Sequence, residues 1–406
     1  MVREGIMNFE VLNEAVRPEE PVSIVVIGVG GGGSNAVDGM IERGIKGVTF
    51  IAVNTDAQHL SRSKASIKLQ IGSRITSGRG AGGNPDVGEQ AALEDKEEIA
   101  KSLKGAHMVF VTTGMGGGTG TGSAPVIAQI AKDQGALTVA VVTRPFEFEK
   151  SHRMNLAEKG ICKLRDAVDT LIVIPNQRLL SNVDRKTSIP EAFRRADDIL
   201  RQGVQGISDS ILEPGHINID FADAETVMRD QGDALMAIGY GSGENRIEQA
   251  VSGVLDNPLL EDTSIRGATR ALVYVAASED LPLVEYDDIV RRVTADMDKD
   301  AIIIPGMYFD SSMEDSIRVT VIASGFNSGR QPQKLEVVKP SKGELISGDE
   351  FTELTGSRHL RDFLPQRNDK REEYKYTNED LDVPTVIRDR RFINFPAGGA
   401  GQAQSN

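Results

Sequence analysis

Tryptophan is absent from this 406-residue chain, aromatic residues make up 5% of it, and cysteine occurs once, at Cys162. A core of such a chain has to be packed from Val, Ile, Leu and Ala, and a single cysteine excludes an intrachain disulfide. Cys162 is expected as a small buried hydrophobe in a reducing compartment. Cations are short as well: 46 Lys and Arg face 60 Asp and Glu, a formal net charge of −14. That balance argues against nonspecific binding to nucleic acid or to an anionic membrane surface. No apolar run is long enough to span a bilayer, and residues 1–21 lack the uninterrupted apolar core of a signal peptide. Any membrane role would therefore run through a partner. A GxxxxGK[ST] motif is missing too, which removes Walker-type kinases and Ras-like GTPases.

What is present is an ordinary globular balance, 39% hydrophobic and 26% charged, in a chain long enough for two domains and some non-globular sequence. Apolar runs at Val22 to Val29, Val48 to Val53, His107 to Thr112, Ala136 to Thr143 and Thr170 to Ile174 read as strands with helices between most of them. Near-continuous apolar strands alternating with helices predict a parallel sheet covered on both faces. A long amphipathic helix follows, with Ser188 before it, Pro190 in its first turn, and Phe193, Ala196, Leu200, Val204, Ile207 and Ile211 at helical spacing. It reads as a spine between two domains, stopped by Pro214 and Gly215. Strands at Asp233 to Gly241, Arg270 to Ala276, Ala301 to Pro305 and Ile317 to Ala323 predict a second α/β domain. Past Asn327 the pattern dissolves into Gly, Pro, Ser, Gln and interleaved charge, which cannot bury enough apolar area to offset ordering entropy. The expected organisation is an N-terminal extension 1–21, a nucleotide-binding domain 22–213, a C-terminal α/β domain 214–327, a flexible linker 328–378, a docking peptide 379–392 and a disordered tail 393–406.

Two glycine-rich turns carry the chemistry. Gly28-Val-Gly-Gly-Gly-Gly-Ser-Asn35 joins the first strand to a helical pattern at Ala36 to Arg43, so Gly31, Gly32, Gly33, Ser34 and Asn35 are candidate phosphate ligands. Glycine permits close backbone approach, and a helix start offers free N–H groups and a favourable dipole to an anion. This turn alone also satisfies GxGxxG, with Asp56 near the place of a ribose-binding acid, so a nicotinamide-dependent oxidoreductase stays open at this point. The second turn, Gly114-Met-Gly-Gly-Gly-Thr-Gly-Thr-Gly122, lies between the strand at His107 to Thr112 and a helix at Ser123 to Lys132. Two such turns in one sheet predict a polyphosphate held from two sides, whereas a dinucleotide fold needs one.

The run Gly116, Gly117, Gly118, Thr119, Gly120, Thr121, Gly122 is the tubulin-type signature, and in this form it resembles the FtsZ branch of the tubulin-like GTPases. The likeness extends over roughly 22–325, through Phe50-Ile-Ala-Val-Asn-Thr-Asp56, Pro145-Phe-Glu-Phe-Glu149 and Asn218-Ile-Asp-Phe-Ala-Asp223. It implies an α/β, tubulin-like fold: a parallel-sheet GTP-binding domain and a smaller α/β C-terminal domain joined by a long central helix, with a disordered linker and tail. It implies GTP and GDP as ligands, expected Mg²⁺, and leaves K⁺ open. Glu149 and Arg153 match positions that contact the sugar region; unaided, they would read as an exposed i, i+4 ion pair. Asp197 matches the residue facing guanine, where a carboxylate accepts from N1–H and the exocyclic amine together, and Phe193 one turn earlier is core or a stacking surface for the base.

Asn218, Asp220 and Asp223 are the catalytic candidates. Their plain reading is a helix start, with Asp220 as cap and Asp223 as its partner before a helix at Ala224 to Met228. The resemblance implies more: this loop meets the GTP of a neighbouring copy in a head-to-tail homopolymer, where the acids orient or polarise water. Carboxylates beside a γ-phosphate repel it by about 4 kcal/mol per charge pair at 4 Å and an effective dielectric of 20, which a bound Mg²⁺ would relieve. The segment Asp382-Val-Pro-Thr-Val-Ile-Arg-Asp-Arg-Arg391 is similar to the tail peptide by which bacterial division proteins of this family meet membrane tethers such as FtsA. The family's place is the cytoplasm, at the mid-cell division ring on the inner face of the membrane. Two positions depart from the commonest pattern: Gln177, where Asp is usual, and Lys150, where Gly often follows the glutamate. A polymerising GTPase leads over an oxidoreductase and a non-catalytic nucleotide-binding scaffold.

Overall fold

The computed structural model describes residues 22–179, 187–212, 217, 219–257, 265–310 and 313–326. They begin with β1 (Ile24–Val29), α1 (Gly30–Glu42), β2 (Val48–Asn54), α2 (Ala57–Arg62), β3 (Ile67–Gln70), α3 (Ser73–Thr76), α4 (Pro85–Glu94) and α5 (Lys96–Ser102). Next come β4 (Met108–Gly114), α6 (Thr119–Asp133), β5 (Leu137–Arg144), α7 (Lys150–Ala167), β6 (Thr170–Pro175), α8 (Asn176–Leu179) and the long α9 (Ile189–Leu212). The remainder is α10 (Phe221–Met228), β7 (Gly232–Ser242), α11 (Arg246–Leu255), β8 (Arg270–Ala277), α12 (Leu283–Val293), β9 (Ile302–Phe309) and β10 (Ser316–Ser324).

Ten strands form one sheet in the order β3-β2-β1-β4-β5-β6-β7-β10-β8-β9. The pairs from β3 to β6 are parallel. Apolar residues on both faces explain this. In β1, Ile24 and Val26 join a core with Val37 and Met40 of α1 and Leu200, Val204 and Ile207 of α9. Val25, Ile27 and Val29 face the other way, toward Ile127 of α6 and Ile161 and Leu164 of α7. The period-2 alternation thus supplies two cores from one strand. The second half is mixed: β10 runs antiparallel to both β7 and β8, and β8 pairs with β9 in parallel. Its core is built by Val251 and Val254 of α11 and Ile289 and Val293 of α12. A short parallel pairing, Thr170 to Ile172 with Gly232 to Ala234, makes the two halves one sheet. Beside it the fully buried Asp169 accepts from the Thr138 amide at 2.8 Å and pairs with Lys132 at 3.0 Å.

Several expectations are corrected. The helices after the glycine turns start inside them, at Gly30 rather than Ala36 and at Thr119 rather than Ser123. Low helix propensity does not keep these glycines out of the helix, because tight packing holds them there. Helix α10 begins at Phe221, three residues before the expected Ala224, because Asp220 caps it. Strand β3, four residues at the sheet edge, has no counterpart in the sequence reading; four residues are too few to show a period. Cys162 is exposed, since Ile161 and Leu164 take the inward face of α7. Residues 1–21, Pro214, Gly215, Asn218 and all of 328–406, including the docking peptide and tail, lie outside the described residues.

Candidate functional site

The parallel strands β1, β4, β5 and β6 end on one side of the sheet, and a cavity of about 290 Å³ opens there. Its walls include Gly31, Gly32, Asn35, Gly114, Met115, Glu149, Arg153, Asn176, Phe193 and Asp197. Open parallel sheets place ligands at this end because the turns between strand and helix diverge there.

The first glycine turn works by proximity. A Cβ on Gly28 would sit 2.3 Å from the Gly33 carbonyl oxygen, and one on Gly33 would sit 2.3 Å from that of Thr112. Helix α1 is therefore pressed against β1 and β4, with Gly33 and Ser34 buried under it. Gly31, Gly32 and Asn35 are the exposed members that line the cavity. Ser34 Oγ is buried and has no hydrogen-bond partner.

The second turn divides in the same way. Gly120 and Gly122 leave no room for a side chain, a Cβ at Gly120 meeting Thr113 Oγ1 at 2.1 Å and one at Gly122 meeting the Pro85 carbonyl at 1.9 Å. Gly116, with φ +94°, tucks beneath Arg153 and donates its N–H to Thr121 Oγ1 at 2.8 Å. Gly118 abuts Ala81 and Asn84, whereas Gly117 faces open space. Thr119 hydrogen-bonds Thr55 through their hydroxyls at 2.7 Å. Of the seven residues, Gly117 and Thr119 retain exposure and the other five are packing. The two turns touch: a Cβ on Gly30 would come within 2.9 Å of the Gly120 nitrogen.

Glu149 and Arg153 form the i, i+4 ion pair at 3.0 Å and also line the cavity, so the two readings of that pair coexist. Glu149 Oε1 additionally accepts from the Phe146 amide at 2.9 Å. Next to it Lys150 has φ +73° and ψ 164°, a conformation that favours glycine strongly. Gln177 reaches the same turn, accepting from the Glu147 amide at 3.2 Å. Both departures from the family pattern therefore fall on one turn at the cavity rim.

Helix α9 supplies Phe193 and Asp197 to one wall of the cavity. Phe193 is 38% exposed and meets Phe146 edge to face at 5.2 Å, with Phe148 stacked on Phe146 at 5.1 Å. Burial pushes the Asp197 carboxyl up from 3.8 to about 7. Asn176, at the end of β6, was passed over in the sequence reading. It lines the cavity and its buried Oδ1 has no partner. A polar residue directly after an apolar strand, Pro175-Asn176, was the available signal.

Asp220 and Asp223 lie elsewhere. Asp223 donates its amide to Asp220 Oδ1 at 2.7 Å, and Asp220 donates its own to Asp223 Oδ2 at 3.4 Å, a capping box that begins α10. Phe221 of that helix meets the ring of His107 at 6.3 Å, and His107 precedes β4. The acids are thus at the starts of the parallel strands and the cavity is at their ends. From Asp197 to Leu212 alone α9 rises about 22 Å. Asp56, kept open above as a ribose-binding acid, caps α2 by accepting from the Gln58 and His59 amides at 2.9 and 3.0 Å. Among the described residues no three His, Cys, Asp or Glu side chains cluster as metal ligands, and no helix is long and apolar enough to cross a membrane.

Residues 23–184 match the Tubulin/FtsZ family, GTPase domain, and residues 232–327 match the FtsZ family, C-terminal domain. An FtsZ dimer from M. jannaschii is 45% identical over 77% of this chain and 90% of its own, with a TM-score of 0.73. The chain belongs to the FtsZ family. Its fold also resembles that of the GDP-bound monomer of CetZ1 from Haloferax volcanii, 21% identical over 75% of this chain and 94% of that one, TM-score 0.64. The GTPγS-bound protofilament of CetZ2 from the same organism matches at 21% identity over 74% and 92%, TM-score 0.58. This FtsZ-family chain is a GTPase, and its paired glycine turns belong to the GTPase domain rather than to a dinucleotide fold.

Proposed function

We propose that the cavity binds GTP with guanine against Phe193 and Asp197, ribose near Glu149 and Arg153, and phosphates on Gly31, Gly32, Asn35, Gly117 and Thr119. Chains then assemble head to tail, so that Asp220 and Asp223 of one copy meet the GTP of the next, with Asn218 beside them. The observation that carries this reading is the separation within one chain: the cavity stands at the strand ends, and Asp220 and Asp223, which match the family's hydrolytic loop, stand at the strand starts. A second copy stacked along the strand direction joins the two half-sites. Homotypic association in the M. jannaschii relative supports this arrangement.

In such a contact each carboxylate keeps one oxygen outside its capping bond, Asp220 Oδ2 and Asp223 Oδ1, free to accept a proton from water and orient it for attack. Mg²⁺ bound with the nucleotide phosphates would neutralise part of the charge that these carboxylates meet. Hydrolysis conditional on assembly ties polymer stability to nucleotide state. The wider role proposed is that of the bacterial division ring at the septum, on the cytoplasmic side of the membrane. There residues 379–392, tethered by 328–378, recruit division proteins such as FtsA. The body divides functionally into 22–213, which holds nucleotide, and 214–327, which brings the acids.

The test is GTP turnover and sedimentable polymer across protein concentrations. Turnover per chain should rise steeply with concentration, and deletion from Glu379 onward should leave it intact while abolishing FtsA binding. Concentration-independent turnover would overturn hydrolysis across the contact.

A further inference from the structure

At the edge where the two glycine turns meet, His59 presents an imidazole whose tautomer can be read from its neighbours. The Asp56 amide donates to Asn54 Oδ1 at 3.2 Å, which identifies the oxygen of that buried side chain. The Asn54 NH₂ group therefore faces His59 Nδ1, at 3.4 Å. An NH₂ group can only donate, so Nδ1 accepts and the ring proton resides on Nε2. Nε2 lies 3.7 Å from the point a Cβ would take on Gly31, the exposed glycine at the start of α1. The His59 backbone is pinned as well, by the cap from Asp56 Oδ1 at 3.0 Å.

Among the described residues the cavity wall holds one cationic side chain, Arg153, and it is engaged with Glu149. A phosphate chain there relies on backbone N–H groups, and a fixed side-chain donor at its far end adds to them. Gly30 and Gly31 mark that end, where the first turn abuts Gly120 and Thr55 bonds Thr119. We propose that His59 is a phosphate-binding residue, donating from Nε2 to the terminal phosphate of GTP and thereby separating the triphosphate from the diphosphate. This rests on the reading of the cavity as the GTP site.

A hydrogen bond to a charged oxygen predicts that His59→Ala weakens GTP binding about tenfold and GDP binding by less than about twofold. The readout is fluorescent-nucleotide binding to the full chain below its assembly concentration. His59→Gln, which keeps a donor, should recover most of the loss. Equal weakening of both nucleotides, or no weakening while the wild type binds GTP, would overturn the role of His59. A wild type that binds no GTP would instead overturn the cavity reading. Imidazole ¹⁵N resonances of the wild type give an answer that needs no variant: an Nε2-protonated ring shifted by GTP and not by GDP is expected. An Nδ1-protonated ring, or the same shift with both nucleotides, would contradict the proposal.

Discussion

The two ends of the parallel strands are built on opposite principles. At the strand ends, close approach forces glycine, helix starts stay open, and partial burial raises the carboxyl of an aspartate. At the strand starts, Asp220 and Asp223 satisfy each other's amides and cap a well-formed helix. One end leaves the buried Ser34 Oγ and Asn176 Oδ1 without hydrogen-bond partners at or beside a cavity; the other is a finished local structure that still exposes carboxylate oxygen. In our proposal hydrolysis requires both, which is why it waits for a second chain.

The contrast can be broken first at the acids. Asp223→Ala should lower GTP turnover by about a hundredfold or more, on the scale of general acid–base loss, while monomers still bind GTP. Loss of its reciprocal bond from the Asp220 amide adds about 0.5–1 kcal/mol of destabilisation, measurable by denaturant titration. Loss of GTP binding in those monomers would place the acid in the wrong chain's site.

Next is the packing beneath the cradle. Gly33→Ala should cost about 1–3 kcal/mol or more in stability, because the added methyl meets the Thr112 carbonyl at 2.3 Å. Gly117→Ala, with nothing within 4 Å, should unfold no earlier than wild type. Similar losses at both positions would remove the distinction between packed and open glycines.

Asp197 sharpens the comparison through pH. Guanine's two donors favour the ionised carboxylate, so binding lowers a carboxyl that burial holds at about 7 in the free protein. GTP affinity should fall as pH drops below about 7, and Asp197→Asn should lose about tenfold in affinity and most of that pH dependence. The sign for stability is opposite. With the folded carboxyl at about 7 and the unfolded one near 3.8, its contribution is full below the lower value and lost as pH rises through the upper. Asp197→Asn should therefore raise the nucleotide-free Tm at pH 8 relative to wild type.

The smallest effect is at Lys150. Its φ of +73° suits glycine, so Lys150→Gly should stabilise the nucleotide-free protein by about 1 kcal/mol in denaturant titration. No gain would mean the turn relaxes without cost.

Strand positions were legible because Val, Ile and Leu dominate both faces of the parallel half, and the same apolar runs predicted β1, β2, β4, β5 and β6 to within a few residues. The mixed direction of β7, β10 and β8 was not legible, since strand periodicity carries no sign. Glycines marked the cavity but not their roles: Gly120 and Gly117 look alike in sequence, and only the distance to Thr113 or to open space separates them. Asn176 and His59 were missed because each gains its meaning from a neighbour distant in the chain or from a tautomer set by Asn54. The capping reading of Asp220 and Asp223 describes the local structure, and it leaves their proposed role across a contact untouched.

The most direct measurement mixes two disabled chains, Asp223→Ala with an intact cavity and Asp197→Ala with intact acids, at a GTP concentration that leaves the second cavity empty. Joined half-sites predict turnover above the sum of the two chains alone, rising with total protein. Turnover that never exceeds that sum would contradict hydrolysis across a subunit contact.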